Sequence, residues 1–332
     1  MRAPAVAVLS SLILVAAVPG CRSGSSADSQ SRRLRVAYTS AVDIGDVPSL
    51  IAHRFLSDAG YQVETTFYAQ PELAVEALAS GTADVASGGV RAFWAAIAKG
   101  APIKMVMGHA QVGYELAVVP AIKTCDDLHG RTLALSSQGS QPTALGQVFL
   151  RRCAHVRPRV IVVPHSGDRL SAILNGVVDA TVLQRSDVAR LHARAPGRFA
   201  TIPEFSGMFP ELDFSGVFVG RALVEDRPDV VGAYVRARIQ ANRLALEAPA
   251  ALLKEARQWP SMAALDAAIV DGEVRAPSWS LDGGITPGSL AATLRFFVDT
   301  GGLPASLSVD QIADFSFVET AVEALDREGR TP

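Results

Sequence analysis

This 332-residue chain has few cysteines and few aromatic residues, and neither sign of charge is in large excess. It has three cysteines, 6% aromatic residues, and 31 Lys plus Arg against 33 Asp plus Glu, a net charge of −2. Three cysteines are too few for a disulfide-stapled miniprotein, and they show no CxxC or Cys/His spacing of a zinc site. The balanced charge offers no basic surface to a phosphate backbone. We therefore expect no nucleic-acid partner, no structural metal and no bound cofactor.

Long apolar runs are also lacking, apart from residues 5–18, which follow Arg2 and are interrupted only by two serines. This run is too short to cross a bilayer of about 30 Å hydrocarbon, so residues 1–20 are predicted to be a signal peptide. It ends in Val18-Pro19-Gly20-Cys21, which resembles the lipobox of bacterial lipoproteins and implies lipidation of Cys21. An ordinary secretory signal with an incidental cysteine is the alternative, because Pro19 departs from the commonest lipobox.

The segment that follows contains almost no apolar side chain. Residues 22–33 read RSGSSADSQSRR, with Ala27 as the single apolar residue, so residues 21–33 are predicted to be a flexible, lipid-anchored tether. No later stretch is long and apolar enough to span a membrane. We therefore expect an exported protein that faces outward and meets the membrane through its N-terminal lipid alone.

From Leu34 onward, short aliphatic runs alternate with segments of helical period, which indicates an α/β protein with largely parallel sheets. The pattern restarts once, which predicts lobe 1 from residues 34–115 plus 218–332 and lobe 2 from residues 116–217. Two extended crossings join the lobes, and the helical C-terminal part packs on lobe 1. Ligands of such folds bind in the cleft between lobes, and hinge closure is the expected motion.

Five short motifs follow one another along the chain: Leu34-Arg35-Val36-Ala37-Tyr38, Gly81-Thr82-Ala83-Asp84-Val85-Ala86, Ala98-Lys99-Gly100-Ala101-Pro102-Ile103, Asp127-Leu128-His129-Gly130-Arg131-Thr132-Leu133-Ala134, and Leu174-Asn175-Gly176-Val177-Val178-Asp179-Ala180. Together they resemble the nitrate/sulfonate/taurine group of ABC-importer substrate-binding proteins. The resemblance covers nearly all of the chain after the tether. It implies a type II periplasmic-binding-protein fold, a monomer that passes a small molecule to an ABC permease and its ATPase, and no chemistry of its own.

Two other functions stay open on the same fold. Pyrimidine synthases of thiamine biosynthesis and some menaquinone-pathway enzymes resemble this family, although the sequence shows no Cys/His cluster or nucleophile-base pair. An export signal also argues against a cytoplasmic biosynthetic step. The second alternative is a ligand-binding sensor subunit, which the sequence does not separate from an importer component.

Turns at strand-to-helix junctions are the first candidates for ligand binding. The N-terminus of a helix carries about half a positive charge and free backbone N–H groups, which suit an anion. The third strand, predicted over Ala83–Ala86, is expected to lead into a turn at 87–89. These junctions contribute the candidate residues Ser40, Asp46, Ser87, Gly88, Gly89, Val90, Gly139, Ser140 and Gln141. Caps and tight turns without a ligand are the alternative for each of them.

Side chains near strand ends supply the remaining candidates. Arg185 could clamp a carboxylate or sulfonate with two hydrogen bonds, or lie in solvent instead. Tyr38, Tyr114 and Trp279 could stack on a heterocycle, whereas Trp94 is expected in the core. Both an anionic and a heterocyclic ligand therefore stay open. His109 and His165 have no second ligand at metal spacing, and surface or capping roles are expected for both.

The two cysteines beyond the lipobox are predicted to pair. Cys125 precedes a strand and Cys153 ends the helix after it, so both are expected on the face opposite the cleft. Export permits a disulfide, which would contribute about 3 kcal/mol. Two buried free thiols are the alternative.

Overall fold

The computed structural model describes residues 32–39, 42–68, 70–109, 113–138, 140–208, 212–275 and 279–329. The predicted signal peptide, Cys21 and most of the tether lie outside these residues, as do Ser40 and Gly139. Among the described residues, no helix has both the length and the apolar character needed to cross a membrane.

The first of two five-stranded sheets carries the predicted lobe 1. Its strand order is β2-β1-β3-β10-β4. Strand β1 pairs in parallel with β2 and β3, whereas β10 runs antiparallel between β3 and β4. The strands are β1 (Arg33–Tyr38), β2 (Gln62–Phe67), β3 (Val85–Gly89), β4 (Ile103–Gly108) and β10 (Ser215–Gly220).

The second sheet carries the predicted lobe 2, in the order β7-β6-β8-β5-β9. Strand β6 pairs in parallel with β7 and β8, and β5 runs antiparallel to β8 and β9. The chain crosses between the sheets after β4 and after β9, so the predicted α/β fold with two crossings is confirmed. The strands are β5 (Tyr114–Val118), β6 (Thr132–Leu135), β7 (Arg159–Val162), β8 (Ala180–Gln184) and β9 (Ala200–Thr201).

Helices cover both sheets, and many begin with proline in their first turn, where the missing N–H costs no hydrogen bond. Short 3-10 turns occupy Ile44–Asp46 and Asp126–Leu128. The helices up to β10 are α1 (Val47–Asp58), α2 (Pro71–Ala79), α3 (Val90–Ala98), α4 (Gln141–Arg152), α5 (Ser166–Leu174), α6 (Arg185–Arg194) and α7 (Pro203–Gly207).

The C-terminal part is helical and lies on the first sheet, as predicted. Its longest helix packs against α1 and α14. After a 3-10 turn at Pro260–Met262, the next helix begins at Ala267. The helices after β10 are α8 (Arg221–Asp226), α9 (Pro228–Glu247), α10 (Pro249–Ala256), α11 (Ala267–Arg275), α12 (Pro287–Asp299), α13 (Val309–Ile312) and α14 (Ser316–Glu328).

The end of β3 corrects one sequence prediction. Residues 87–89 form no turn; they continue β3 and pair with residues 215–217 of β10. Glycine is required there by space rather than by a turn, because a Cβ on Gly88 would overlap the Thr39 side chain. The strands also reach slightly past the predicted lobe boundaries, since β5 begins at Tyr114 and β10 at Ser215.

Cys125 and Cys153 form a disulfide in the structure, with their Cα atoms 6.1 Å apart and a sequence separation of 28. The bond joins the 3-10 turn before β6 to the C-terminal end of α4. It therefore closes a loop that contains β6 and the whole of α4.

The disulfide gives the first test. Replacing both cysteines with serine is expected to lower the free energy of unfolding by about 3 kcal/mol, because the unfolded chain regains loop entropy. Urea unfolding of the variant and of the parent measures this difference. Alkylation of the denatured, unreduced protein should leave the masses of these two cysteines unchanged, whereas two alkyl adducts would show that they are free thiols.

Neighbouring glycines at the end of β3 give a matched pair of variants. Gly88→Ala is expected to lower the free energy of unfolding by about 1–3 kcal/mol, because the new Cβ displaces the Thr39 side chain. At Gly89 the nearest atoms to an added Cβ are Gln141 Oε1 at 3.5 Å and the Phe214 carbonyl oxygen at 3.7 Å, which are ordinary contacts. Gly89→Ala should therefore unfold at nearly the parental urea concentration, and equal losses in the two variants would contradict this assignment.

Candidate functional site

Two contacts join the lobes at the predicted cleft, the region between the ends of β3 and β6. Arg91 Nη1, in the first turn of α3, donates to the Gln138 carbonyl oxygen at 3.0 Å. Gln141, the first residue of α4, lies against the backbone of Gly89. These contacts join the ends of β3 and β6, the strand ends where ligands of open α/β sheets bind. The cleft is therefore the candidate functional site.

Two buried polar groups lie at the centre of this contact. Gln141 is 8% exposed, and its Nε2 has no hydrogen-bond partner in the described part of the chain. Ser215 pairs with Gly89 in the antiparallel ladder, so its side chain lies on the ladder face that Gln141 contacts. Its Oγ is likewise buried and unpartnered among the described residues. A buried donor left without a partner costs about 1–3 kcal/mol, so both groups favour a bound partner.

His109 follows β4 and occupies a position that the sequence did not predict. It is buried, and its Nε2 lies 3.1 Å from Ser87 Oγ and 3.4 Å from Arg238 Nη2. The guanidinium can only donate, so Nε2 accepts and the imidazole is neutral. Burial, and secondarily the Arg238 charge, lower the pKa of His109 to about 3. The expected surface or capping role of His109 is wrong, whereas His165 is exposed as expected.

Arg238 was missed by the sequence analysis, yet it is the most buried charged side chain near the cleft. It is 1% exposed. Its Nη1 donates to Ser49 Oγ in the first turn of α1, and its Nη2 donates to His109. Its Nε has no hydrogen-bond partner among the described residues. A single arginine within a helical segment gives no local signal, because the amphipathic pattern alone suggests a solvated position.

Two predicted ring-stacking residues are instead packed in the core of the first lobe. Tyr38 stacks on Phe67 with 5.1 Å between ring centroids, and its hydroxyl lies 3.4 Å from His53 Nε2. Trp279 belongs to the same hydrophobic core. Each is 2% exposed, so neither ring offers an accessible face in this structure. Trp94 is buried in the core, as expected.

Tyr114 and Arg185 lie at the crossing from β4 to β5. Tyr114 is partly exposed, and burial raises the pKa of its hydroxyl, which interacts with Gln184. The Arg185 side chain is 53% exposed; it covers Gly113, and its Nε lies 3.7 Å from Glu115 Oε1. A carboxylate already faces this guanidinium, and its predicted role as a clamp stays a prediction.

The other predicted residues have local partners. The Val90 N–H donates to the Phe214 carbonyl oxygen at 2.9 Å, so it is not free for an anion. Ser140 Oγ donates to Thr143 Oγ1 at 3.2 Å. Ser87 and Gly88 belong to β3, as described above. The predicted roles of all these residues in ligand binding stay predictions.

Carboxyl groups line the edge of the cleft beside α1. Asp43 Oδ1 accepts from the Gly45 N–H at 2.7 Å, and Asp46 Oδ2 accepts from the Asp43 N–H at 3.1 Å. Burial, and then the Asp43 charge, raise the pKa of Asp46 to about 7. On the facing lobe, Asp187 accepts from Ser166 Oγ and from Arg190 Nη1, the latter at 3.1 Å. Burial and the Asp187 charge also raise the pKa of Asp43.

The NMT1/THI5-like family model matches residues 51–252, which is more than half of the chain. No match was found among curated proteins.

Solved structures of similar fold cover most of this chain. The alkanesulfonate-binding protein SsuA from Xanthomonas axonopodis pv. citri, bound to MOPS, superposes with a TM-score of 0.69 and 19% identity over 86% of this chain and 99% of its own. The aliphatic sulphonate-binding protein SsuA from Escherichia coli superposes with a TM-score of 0.67 and 18% identity, over 84% of this chain and 91% of its own. The nitrate-binding protein NrtA from Synechocystis PCC 6803 superposes with a TM-score of 0.66 and 12% identity, over 89% of each chain. These likenesses show the periplasmic-binding-protein fold.

The raised pKa of Asp46 predicts a pH dependence of stability. An unfolded aspartate has a pKa near 3.9, so between about pH 4 and 7 the folded protein binds more protons than the unfolded chain. The free energy of unfolding should therefore fall as the pH rises through this window. Asp46→Asn keeps an acceptor for the Asp43 N–H. In this variant the free energy of unfolding should decrease by roughly 1–3 kcal/mol less over the same pH window than in the parent.

Urea unfolding at pH 4.5, 6 and 8 measures the effect. Asp58→Asn, at the exposed end of α1, is the control and should keep the parental pH profile. An Asp46→Asn profile with the full parental fall would contradict the assignment.

Proposed function

Because the chain belongs to the NMT1/THI5-like family, we propose that it is an extracytoplasmic solute-binding protein that delivers a small organic molecule to an ABC importer. The observation that carries this proposal is the pair of unpartnered buried groups at the cleft, Gln141 Nε2 and Ser215 Oγ. Gln141 begins α4 beside the second sheet, and Ser215 begins β10 of the first sheet. A ligand that accepts hydrogen bonds from both would join the lobes and remove the cost of leaving these groups unpaired.

The geometry also suits closure around a ligand. Polar contacts cross the cleft near Gln141, such as the hydrogen bond from Arg91 to the Gln138 carbonyl oxygen. A hinge at the two crossings between the sheets would open the cleft, and a ligand that binds both lobes would favour the closed form.

The structural neighbours support a binding role. The neighbours above are a nitrate-binding and two sulfonate-binding proteins, and a Staphylococcus aureus neighbour is described as the ligand-binding component of an ABC-type import system. We propose the same role here, with a permease and an ATPase as partners and a monomer as the exported form. The proposal includes the signal peptide at 1–20, lipidation of Cys21, the tether at 21–33, lobe 1 from 34–115 plus 218–332, and lobe 2 from 116–217.

A thermal-shift series on the chain from Arg22 onward tests the proposal. The compounds are nitrate, ethanesulfonate, taurine, propionate and 4-amino-5-hydroxymethyl-2-methylpyrimidine. At least one should raise the melting temperature saturably, since a ligand at 100 times its Kd stabilises the folded state by about 2.7 kcal/mol. If none of the five produces a saturable shift, a small anion or pyrimidine is not the ligand and the proposal fails in this form.

Gln141 allows a sharper test with a matched control. Gln141→Met keeps the length of the side chain but loses its amide, so it should weaken the binding of the active compound at least about 10-fold. Gln147→Met changes the same residue type on the exposed face of α4 and should bind with parental affinity. Calorimetric titration measures both, and equal affinities of the two variants would count against Gln141 as a ligand-binding residue.

A further inference from the structure

Arg238 is a buried positive charge without a counter-ion. Within the described part of the chain, no carboxylate oxygen forms an ion pair with its guanidinium. Its hydrogen-bond partners are the neutral Ser49 hydroxyl and His109 imidazole. An unpaired buried charge costs several kcal/mol, so an anion bound beside this guanidinium would stabilise the folded protein.

The side chains around Arg238 are neutral. We call Tyr38, Ser49, Ser87, His109, Tyr234 and Arg238 the Arg238 cluster. Burial holds His109 neutral and raises the pKa values of Tyr38 and Tyr234, so both phenols stay protonated. The Asp46 carboxyl group interacts electrostatically with Arg238, but its pKa is raised to about 7 and it makes no ion pair with the guanidinium.

The Arg238 cluster is continuous with the cleft. Ser87 lies two residues before Gly89 on β3, and alternate residues of a strand share a face. The His109 N–H donates to the Ser215 carbonyl oxygen at 3.2 Å, so the cluster adjoins the residue that pairs with Gly89. Ser49 places the first turn of α1, with the positive end of that helix dipole, beside the same guanidinium. A polar layer thus extends from Gln141 to Arg238.

Hydrogen-bond donors are in excess along this layer. Arg238 Nε and Gln141 Nε2 can only donate, and the hydroxyl of Ser215 can donate; all three are buried without a partner among the described residues. A ligand that matches them must bring several acceptor atoms and a negative charge. Oxygen atoms of a small organic oxyanion meet both conditions, and bidentate pairing of such a group with guanidinium is among the strongest polar contacts in proteins.

Resting on the proposed function, we propose that the Arg238 cluster binds the anionic group of the ligand, a small organic sulfonate or carboxylate, with Arg238 as its counter-ion. The ligand enters between Gln141 and Ser215, and its charged end meets Arg238 beside Ser87 and the first turn of α1. The carboxyl groups at the cleft edge do not oppose this arrangement, because Asp187 is paired with Arg190 and Asp46 is protonated over much of the acidic range.

The first test compares anions with their neutral isosteres. Calorimetric titration of the chain from Arg22 onward would use ethanesulfonate against ethanesulfonamide and propionate against propionamide. At least one anion should bind 100-fold or more tightly than its amide. If neither anion is preferred to its amide, the inference is wrong, and this outcome needs no variant that might fail to fold.

Variants of Arg238 form the second test, with the preferred anion as probe. Arg238→Gln keeps hydrogen-bonding capacity near Ser49 and His109 but removes the charge, and should weaken binding at least 100-fold. Arg238→Lys restores the charge and should recover most of that loss. Circular dichroism and the melting temperature check that each variant is folded; should Arg238→Gln not fold, Arg238→Lys together with the isostere comparison decides.

Arg185→Ala separates this inference from the alternative clamp. It should bind the anion within about threefold of the parent, because Arg185 is half-exposed and faces Glu115. Loss of binding in Arg185→Ala, with full binding in Arg238→Gln, would overturn the role of Arg238. Binding of the pyrimidine but of neither anion would leave the proposed function standing and reject this inference, whereas binding of no compound would reject both.

Discussion

Insertion of β10 between β3 and β4 is the constraint on which the rest of the structure depends. Its antiparallel pairing returns the chain from the second sheet to the first and thereby creates the second crossing. The same pairing places Ser215 opposite Gly89 at the cleft. It also sends the chain directly into α8 and α9, so that α9 packs along α1 and brings Arg238 to Ser49. Strand β10 therefore forms the second crossing and positions both the Ser215 hydroxyl and the Arg238 guanidinium.

Small residues at the end of β3 make this arrangement possible. A side chain on Gly88 would displace Thr39, whereas a Cβ on Gly89 would make only ordinary contacts, the nearest with Gln141 Oε1 at 3.5 Å. Ser87, one residue before this pair, keeps a short hydroxyl that reaches His109 without filling the space beside it.

The sequence predicted the elements well because their signals are local. Aliphatic runs alternate with helical periods along the chain, and proline stands in the first turn of α1, α2, α9 and α12, where it favours a helix start. The prediction of a turn at 87–89 was wrong because these residues pair with β10 and Gly88 leaves room for the Thr39 side chain. Both contacts join residues that are distant in sequence. For the same reason Gln141, next to a recognisable helix start, was predicted as a site residue, whereas Ser215, His109 and Arg238 were not. Only the packing of α9 on α1 shows that Arg238 is buried.

A comparison of the two buried arginines near the cleft shows why burial alone does not indicate a binding role. Arg169, in lobe 2, donates to the carbonyl oxygens of Val182, Val163 and Pro164 at 3.2, 3.0 and 2.8 Å. Carbonyl oxygens just after β7 and within β8 thus satisfy its charge. Arg238 has no backbone carbonyl among its hydrogen-bond partners in the described residues and leaves one N–H unpaired. Both side chains are almost fully buried, so this difference in hydrogen bonding is the reason that a ligand is proposed as the partner of Arg238 and not of Arg169.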